Sequence, residues 1–81
     1  SARFNLALLH FQTRDLTTAT TLAQDLVRQK PDYAVAHYLL GQIYSESADS
    51  VHQARAAYSR FLELAPNDPA AAVVRQWLAT H

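Results

Sequence analysis

Histidine is the residue type in this chain best suited to proton transfer or metal binding, yet its spacing supports neither role. The four histidines are His10, His37, His52 and His81, and no two stand four residues apart, the spacing with which a helix presents two imidazoles to one metal. Cysteine is absent and Gly41 is the single glycine, so thiolate sites and glycine-rich phosphate loops are excluded. We therefore expect no catalytic residue, no metal, no cofactor and no enzymatic activity.

Charge and composition argue against two further classes of protein. The 81 residues contain 7 lysines and arginines and 7 aspartates and glutamates, whereas nucleic-acid binders carry a basic face. No apolar stretch approaches the roughly 18 residues that indicate a membrane span. We expect a small folded domain with no nucleic-acid partner and no direct membrane insertion. Because the chain opens at Ser1 rather than methionine, we expect it to be a segment of a larger protein.

Two prolines stand at equivalent positions of an internal repeat, and this repeat predicts the order of the helices along the chain. Pro31 and Pro66 lie 35 residues apart. Two blocks align between the halves: residues 2–10 with 36–44 at an offset of 34, and residues 19–31 with 54–66 at an offset of 35. The extra residue falls in the turn at 45–52, where an insertion costs little.

Each unit is predicted to form two helices, and a fifth helix follows. The predicted helices run from Ala2 to Gln12, Leu16 to Gln29, Tyr33 to Glu46, Val51 to Leu64, and Pro69 to about Thr80. Asp15 is a predicted N-cap of the second helix, since its carboxylate can accept from free backbone amides. Asp32 is predicted to cap the third helix, and Asp49 or Ser50 the fourth. Asp68 and Pro69 form a start signal for the fifth.

In the second unit a leucine–glycine pair, a tyrosine, an alanine, an aromatic residue and a proline follow one another, at Leu40, Gly41, Tyr44, Ala54, Tyr58 and Pro66. This unit resembles the tetratricopeptide repeat, whose signature has these residue types in the same order after a tryptophan. His37 stands in the tryptophan position. The first unit keeps Leu6, Ala19 and Pro31, and it has Arg3, Ala7, His10 and Ala23 at the tryptophan, glycine, tyrosine and aromatic positions. Packing roles are therefore expected for both histidines.

This resemblance implies an all-α fold, a right-handed α–α superhelix (solenoid). It comprises two helix-turn-helix repeats, about 1–31 and 32–66, and a capping helix at about 69–80, in one domain spanning 1–81. Small residues, among them Gly41 and Ala54, are expected where helices cross. Ala71, Val74 and Leu78 are expected to pack inward. The resemblance also implies a non-catalytic role as a protein–protein interaction module, scaffold or adaptor.

The first helix carries two apolar stripes rather than one. Leu6 and Leu9 match core positions of the second unit, so we expect them in the core. Phe4, Leu8 and Phe11 form a second stripe, roughly 160° away at about 100° per residue. A single core cannot cover both stripes. In related arrays the second stripe lines a concave groove that holds a peptide or helix.

The predicted partner-binding residues are Phe4, Leu8, Phe11, Val35, Tyr38 and Gln42, extended by Val73 and Trp77. The expected occupant is an apolar peptide or helix of another protein. Two alternatives remain open: an upstream repeat could cover the stripe, or the stripe could join two copies into a homodimer. The chain would then be a structural spacer or self-association segment with no ligand of its own.

Overall fold

Five α-helices follow one another along the chain, and no strand is present. The computed structural model describes residues 1–81. The helices are α1 (Ala2–Gln12), α2 (Leu16–Gln29), α3 (Ala34–Tyr44), α4 (Val51–Leu64) and α5 (Ala71–Thr80), with a single 3-10 turn at Ala48–Ser50. The bounds of α1, α2 and α4 are those predicted, while α3 is shorter at both ends. None of these helices combines the length and the apolar character needed to cross a membrane.

Helix α1 ends in a Schellman motif, which sets the direction in which the chain enters α2. The Arg14 amide donates to the Phe11 carbonyl at 3.1 Å, and the Asp15 amide donates to the His10 carbonyl at 2.8 Å. Arg14 has a φ of 69°, in the left-handed region that glycine usually occupies in this motif. Its guanidinium is paired with Glu46 at 3.0 Å, which ties this turn to the turn after α3.

Side-chain capping is less general than predicted. Asp15 caps α2 as expected, its Oδ1 accepting from the Thr18 amide at 3.3 Å. The predicted Asp32 cap is wrong, because α3 begins after Tyr33 without a side-chain hydrogen bond. Helix α4 begins after Ser50, also without one. These starts are fixed by packing rather than by capping.

Helix α5 begins two residues later than predicted. Asp68 Oδ1 accepts from the Ala70 amide at 2.8 Å, and the Asp68 carbonyl accepts from the Ala71 amide at 2.9 Å. Asp68 therefore closes a turn around Pro69 instead of capping a helix whose first residue is this proline.

The main core lies between the helices of the two repeats. Its buried residues are Ala7, Ala19, Ala23, Leu39, Leu40, Ile43 and Ala57. Four of the seven are alanines, which allow the helix backbones to approach closely. The small residues expected at the helix crossings are therefore found in the core, and Ala54 is also fully buried.

A second cluster joins α4 to the capping helix. Its buried residues are Tyr58, Phe61 and Val74. Ala71 is also buried and Leu78 packs against the cluster, whereas Arg75 and Gln76 are exposed. The predicted inward and outward sides of the capping helix are confirmed.

A steric contact explains why position 41 of the second repeat is a glycine. A Cβ at this position would lie 2.8 Å from Cγ of the Tyr58 ring and nearer still to two other ring carbons. The first repeat has Ala7 and Ala23 at the equivalent positions, and both are fully buried. A glycine is thus required where the opposing side chain is aromatic, and an alanine fits where the opposing residue is another alanine.

The prediction that Leu6 and Leu9 lie in the core is wrong. Leu6 is 45% exposed and Leu9 is 53% exposed, whereas their equivalents Leu40 and Ile43 are each 5% exposed. Leu40 and Ile43 are covered because α2 packs against α3. Helix α1 packs against α2 and α3 through its other side, so Leu6 and Leu9 stay exposed. Ala7 is the buried residue of α1.

Candidate partner-binding face

Six of the predicted site residues occupy equivalent positions of α1, α3 and α5. Phe4, Tyr38 and Val73 are equivalent, as are Leu8, Gln42 and Trp77, and stacked repeats place equivalent residues in register. We call the predicted site residues together the aromatic face and define it as Phe4, Leu8, Phe11, Val35, Tyr38, Gln42, Val73 and Trp77.

The side chains of the aromatic face are partly exposed. Val73 is 62% exposed and Val35 is 37% exposed, while the other six are half-buried. Phe4, Leu8 and Phe11 pack with one side against the main core. They therefore support the fold and also present part of their surface to solvent. No enclosed pocket is present, so the face is open.

Aromatic rings connect α3 to α5 across this face. The Tyr38 ring lies 5.1 Å from the Phe61 ring and 5.9 Å from the Tyr58 ring, measured between centroids. Tyr58 in turn meets Trp77 edge-on at 5.1 Å, and Trp77 stacks on His81 at 4.2 Å. Such geometries are favourable beyond the area they bury. Trp77 is thus held in a fixed position by rings on both sides.

Tyr58 takes part in this ring cluster as an uncharged group. Burial raises the pKa of its hydroxyl above the ordinary 10. The phenol therefore stays neutral at every physiological pH, and the cluster acquires no negative charge. Sequence reasoning assigned Tyr58 only to the aromatic position of the repeat signature, and its place opposite Gly41 is seen in the structure.

At the other end of the face, a residue that sequence reasoning missed supports Phe4. Tyr33 meets the Phe4 ring edge-on at 6.0 Å, and the Lys30 ammonium lies 5.0 Å from the centroid of the Tyr33 ring. This is cation–π distance. The link between α2 and α3 therefore fixes the orientation of Phe4. Tyr33 stands just before α3, where a capping position gives no sign of a packing role.

Both candidate histidines have structural partners. His37 Nε2 is 2.9 Å from the Pro31 carbonyl oxygen. His10 Nδ1 is 3.2 Å from Asp15 Oδ2, an acidic partner that sequence reasoning did not assign. No three histidine, aspartate or glutamate side chains come together in a way that could hold a metal ion.

The Asp15 carboxylate makes a testable contribution to stability. Hydrogen bonding from the Thr18 side chain and amide lowers the pKa of this carboxyl below its ordinary 3.8, and His10 acts in the same direction. A group with a lowered folded-state pKa stabilises the fold above its unfolded pKa, and this stabilisation is lost as the pH falls through the folded pKa. We expect Asp15→Ala to lower Tm at neutral pH and to weaken the fall of Tm below pH 3.8.

Asp15→Asn is the matched control for this prediction. Asparagine also caps helices but does not titrate, so Tm at neutral pH should stay near the wild-type value while the acid sensitivity still declines. Some acid sensitivity should persist, because a hydrogen bond from Arg14 lowers the pKa of Glu46 as well. Thermal melts followed by circular dichroism between pH 2 and pH 7 provide the measurement. An Asp15→Ala protein with the full wild-type acid sensitivity would contradict the assignment.

Comparison with known protein families gives a match in the second repeat. The family model described as tetratricopeptide repeat matches residues 35–68, the range that contains α4 and nearly all of α3. Residues 35–68 of the chain are therefore a tetratricopeptide repeat. The all-α architecture of helical hairpins agrees with this match. Tetratricopeptide repeats generally serve as non-catalytic protein–protein interaction and scaffold modules.

A relative carries a similar segment within a much longer protein. Protein O-mannosyl-transferase TMTC3 of Homo sapiens is 34% identical over 68 residues, which is 84% of this chain and 7% of that protein. This chain thus spans a small part of the length of this curated relative. No solved structure matched the chain significantly.

Proposed function

We propose that this chain is a protein-interaction module whose aromatic face binds an apolar peptide or helix of another protein. The observation that supports the proposal is the set of partly exposed apolar side chains at equivalent positions of α1, α3 and α5. Val73 and Val35 are the most exposed of these. Contiguous apolar surface of this kind marks interaction sites in soluble proteins.

The chemistry of the face selects the class of partner. None of its eight residues is charged, and its polar groups are the Tyr38 hydroxyl, the Gln42 amide and the Trp77 indole N–H. These three groups can hydrogen-bond a partner backbone or a neutral side chain, while the apolar residues make the larger contact. The partner segment is therefore an amphipathic helix with apolar residues at i, i+3 or i+4 and i+7, or an extended peptide with alternating apolar residues.

Selection from a peptide library tests the proposal without knowledge of the natural partner. Random 12-residue peptides displayed on phage are selected on the wild-type chain, and the dissociation constants of the enriched peptides are measured by calorimetry. We expect apolar and aromatic residues to be enriched. The Val35→Asn/Val73→Asn variant should weaken binding at least about tenfold, since losses of this size mark the residues at the centre of an interface.

The control variant is Leu9→Asn, which also removes an exposed apolar side chain but lies on another side of α1. It should bind the selected peptides with wild-type affinity. Enriched peptides that bind the Val35→Asn/Val73→Asn variant as well as the wild type would show that the aromatic face is not the site. A wild-type dimer that becomes monomeric in this variant would instead assign the face to self-association.

A further inference from the structure

A ring of the same chain lies flat against Trp77. The planes of the His81 and Trp77 rings are 9° apart, and their centroids are separated by 4.2 Å. The other ring pairs of the structure meet at angles between 44° and 67°. One flat side of the Trp77 indole is therefore accessible to a second ring in parallel stacking, a favourable arrangement for aromatic side chains.

The indole is held in position by residues other than His81. Tyr58 meets it edge-on at 5.1 Å, and Tyr58 is itself buried in a cluster with Phe61 and Val74. Trp77 packs against this cluster while half of it stays exposed. The stacking surface is thus already in place when His81 moves away, which reduces the ordering cost for a partner that uses it.

His81 is attached to this surface by local contacts. It is exposed and directly follows the last residue of α5. Its Nδ1 donates to the Trp77 carbonyl oxygen at 2.8 Å and lies 3.1 Å from the Thr80 hydroxyl oxygen. These contacts and the ring stack all join His81 to its own helix. A rotation of the His81 side chain therefore uncovers the indole without disturbing the packing of α5 on α4.

The charges at this end of α5 favour an uncharged ring over a cation. Arg55 of α4 donates to the Leu78 carbonyl oxygen at 3.3 Å, which places a positive charge beside the last turn of α5. Helix α5 contains no carboxylate, and Glu46, at the equivalent end of α3, is already paired with Arg14 at 3.0 Å. A guanidinium or ammonium group on the indole would be repelled by Arg55, whereas a neutral aromatic ring would not.

We infer that the flat side of Trp77 is a stacking subsite for an aromatic side chain of the partner, and that His81 is an internal competitor for this subsite. The inference rests on the proposed function and makes it more specific: the bound segment carries a phenylalanine, tyrosine or tryptophan that stacks on Trp77 one helical turn beyond Val73. When this ring binds, His81 leaves the indole.

Fluorescence tests the competition directly, because Trp77 is the only tryptophan of the chain. The bimolecular constant for quenching by acrylamide, corrected for the fluorescence lifetime, measures the accessibility of the indole. We expect His81→Ala to raise this constant and His81→Phe to return it to the wild-type value. His81→Arg should lie closer to His81→Ala than to His81→Phe, since Arg55 repels the new guanidinium.

Peptide selection on the His81→Ala chain tests the chemistry of the occupant. Random 12-residue peptides displayed on phage are selected, and we expect an aromatic residue to be enriched at one peptide position. Its replacement by leucine should weaken binding to the His81→Ala chain about three- to tenfold, and should have no effect in the Trp77→Leu/His81→Ala chain. The wild-type chain should bind the aromatic peptide about two- to fivefold more weakly than His81→Ala, because His81 must first leave the indole.

Two results would overturn the inference. One is a quenching constant that is equal in the wild type, His81→Ala and His81→Phe, which would show that His81 does not cover the indole. The other is a selection without aromatic enrichment, or an aromatic residue whose replacement costs the same with and without the Trp77 ring. Peptides that lose affinity in Val35→Asn/Val73→Asn but not through Trp77 would leave the proposed function standing and remove only the stacking subsite.

Discussion

Phe61→Ala is expected to lower the free energy of unfolding by about 3–5 kcal/mol, the range for removal of a buried phenylalanine side chain. Phe61 is 2% exposed and belongs to the cluster with Tyr58 and Val74 that joins α4 to α5. Its ring also lies 5.1 Å from that of Tyr38 on α3. The substitution therefore leaves a cavity where three helices meet.

The size of this loss matters because the domain is small. A chain of this length has a total stability on the order of 4–12 kcal/mol, so Phe61→Ala is expected to remove a large fraction of it. Urea denaturation followed by circular dichroism is the measurement. Phe61→Leu, which retains most of the buried volume, should lose distinctly less. A Phe61→Ala protein within about 1 kcal/mol of the wild type would contradict close packing at this junction.

Gly41→Ala is expected to destabilise the chain by up to about 2 kcal/mol, the overpacking cost of about 1–3 kcal/mol less the gain from the better helix propensity of alanine. The propensity gain of about 1 kcal/mol is outweighed because the new Cβ would overlap the buried Tyr58 ring. The close contacts include Cγ, the ring atom next to the side-chain stem, so the ring cannot avoid the methyl group by turning about its own axis. The helices must move apart or Tyr58 must change rotamer.

A double-mutant cycle separates this clash from other effects of the substitution. In a Tyr58→Ala background the ring is gone, so Gly41→Ala should become neutral or stabilising, with a coupling energy of about 1–3 kcal/mol. The control is Ala7→Gly in the first repeat, which should cost about 1–2 kcal/mol, from the helix propensity and from the lost burial of one methyl group. Equal effects of Gly41→Ala with and without the Tyr58 ring would show that the ring is not the cause.

Much of the fold could be predicted from local signals. Pro31 and the Asp15 cap mark the two ends of α2. The alignment of the repeats predicts the corresponding ends of α4. The bounds of α1, α2 and α4 accordingly agree with prediction. Helix α5 shows the limit of such signals: Pro69 is compatible with a first helical turn and equally with the tight turn that Asp68 closes.

Burial in α1 could not be read from the pattern because it depends on a neighbour. The repeat shows that Leu6 and Leu9 have the right type and spacing to be covered, but not that a helix lies there to cover them. Phe4, Leu8 and Phe11 were expected outside the core, but they are half-buried because they contact the main core. Whether they bind a partner is what the peptide selection tests.

The contact between His10 and Asp15 could not be predicted from the sequence for a different reason. It depends on the reversal of the chain at Arg14, where the backbone adopts a positive φ. Glycine in this position would have signalled the turn geometry, whereas arginine does not. The Glu46 partner that accompanies Arg14 lies 32 residues away and became evident only in three dimensions.

The complementary pairing of Gly41 with Tyr58, and of Ala7 with Ala23, means that single helices of this protein are not interchangeable. Moving α1 into the place of α3 would set an alanine methyl group against the tyrosine ring, and the reverse exchange would leave an unfilled space beside Ala23. A longer array has to be assembled from whole hairpins. A larger side chain at one member of either pair therefore requires a smaller one at the other.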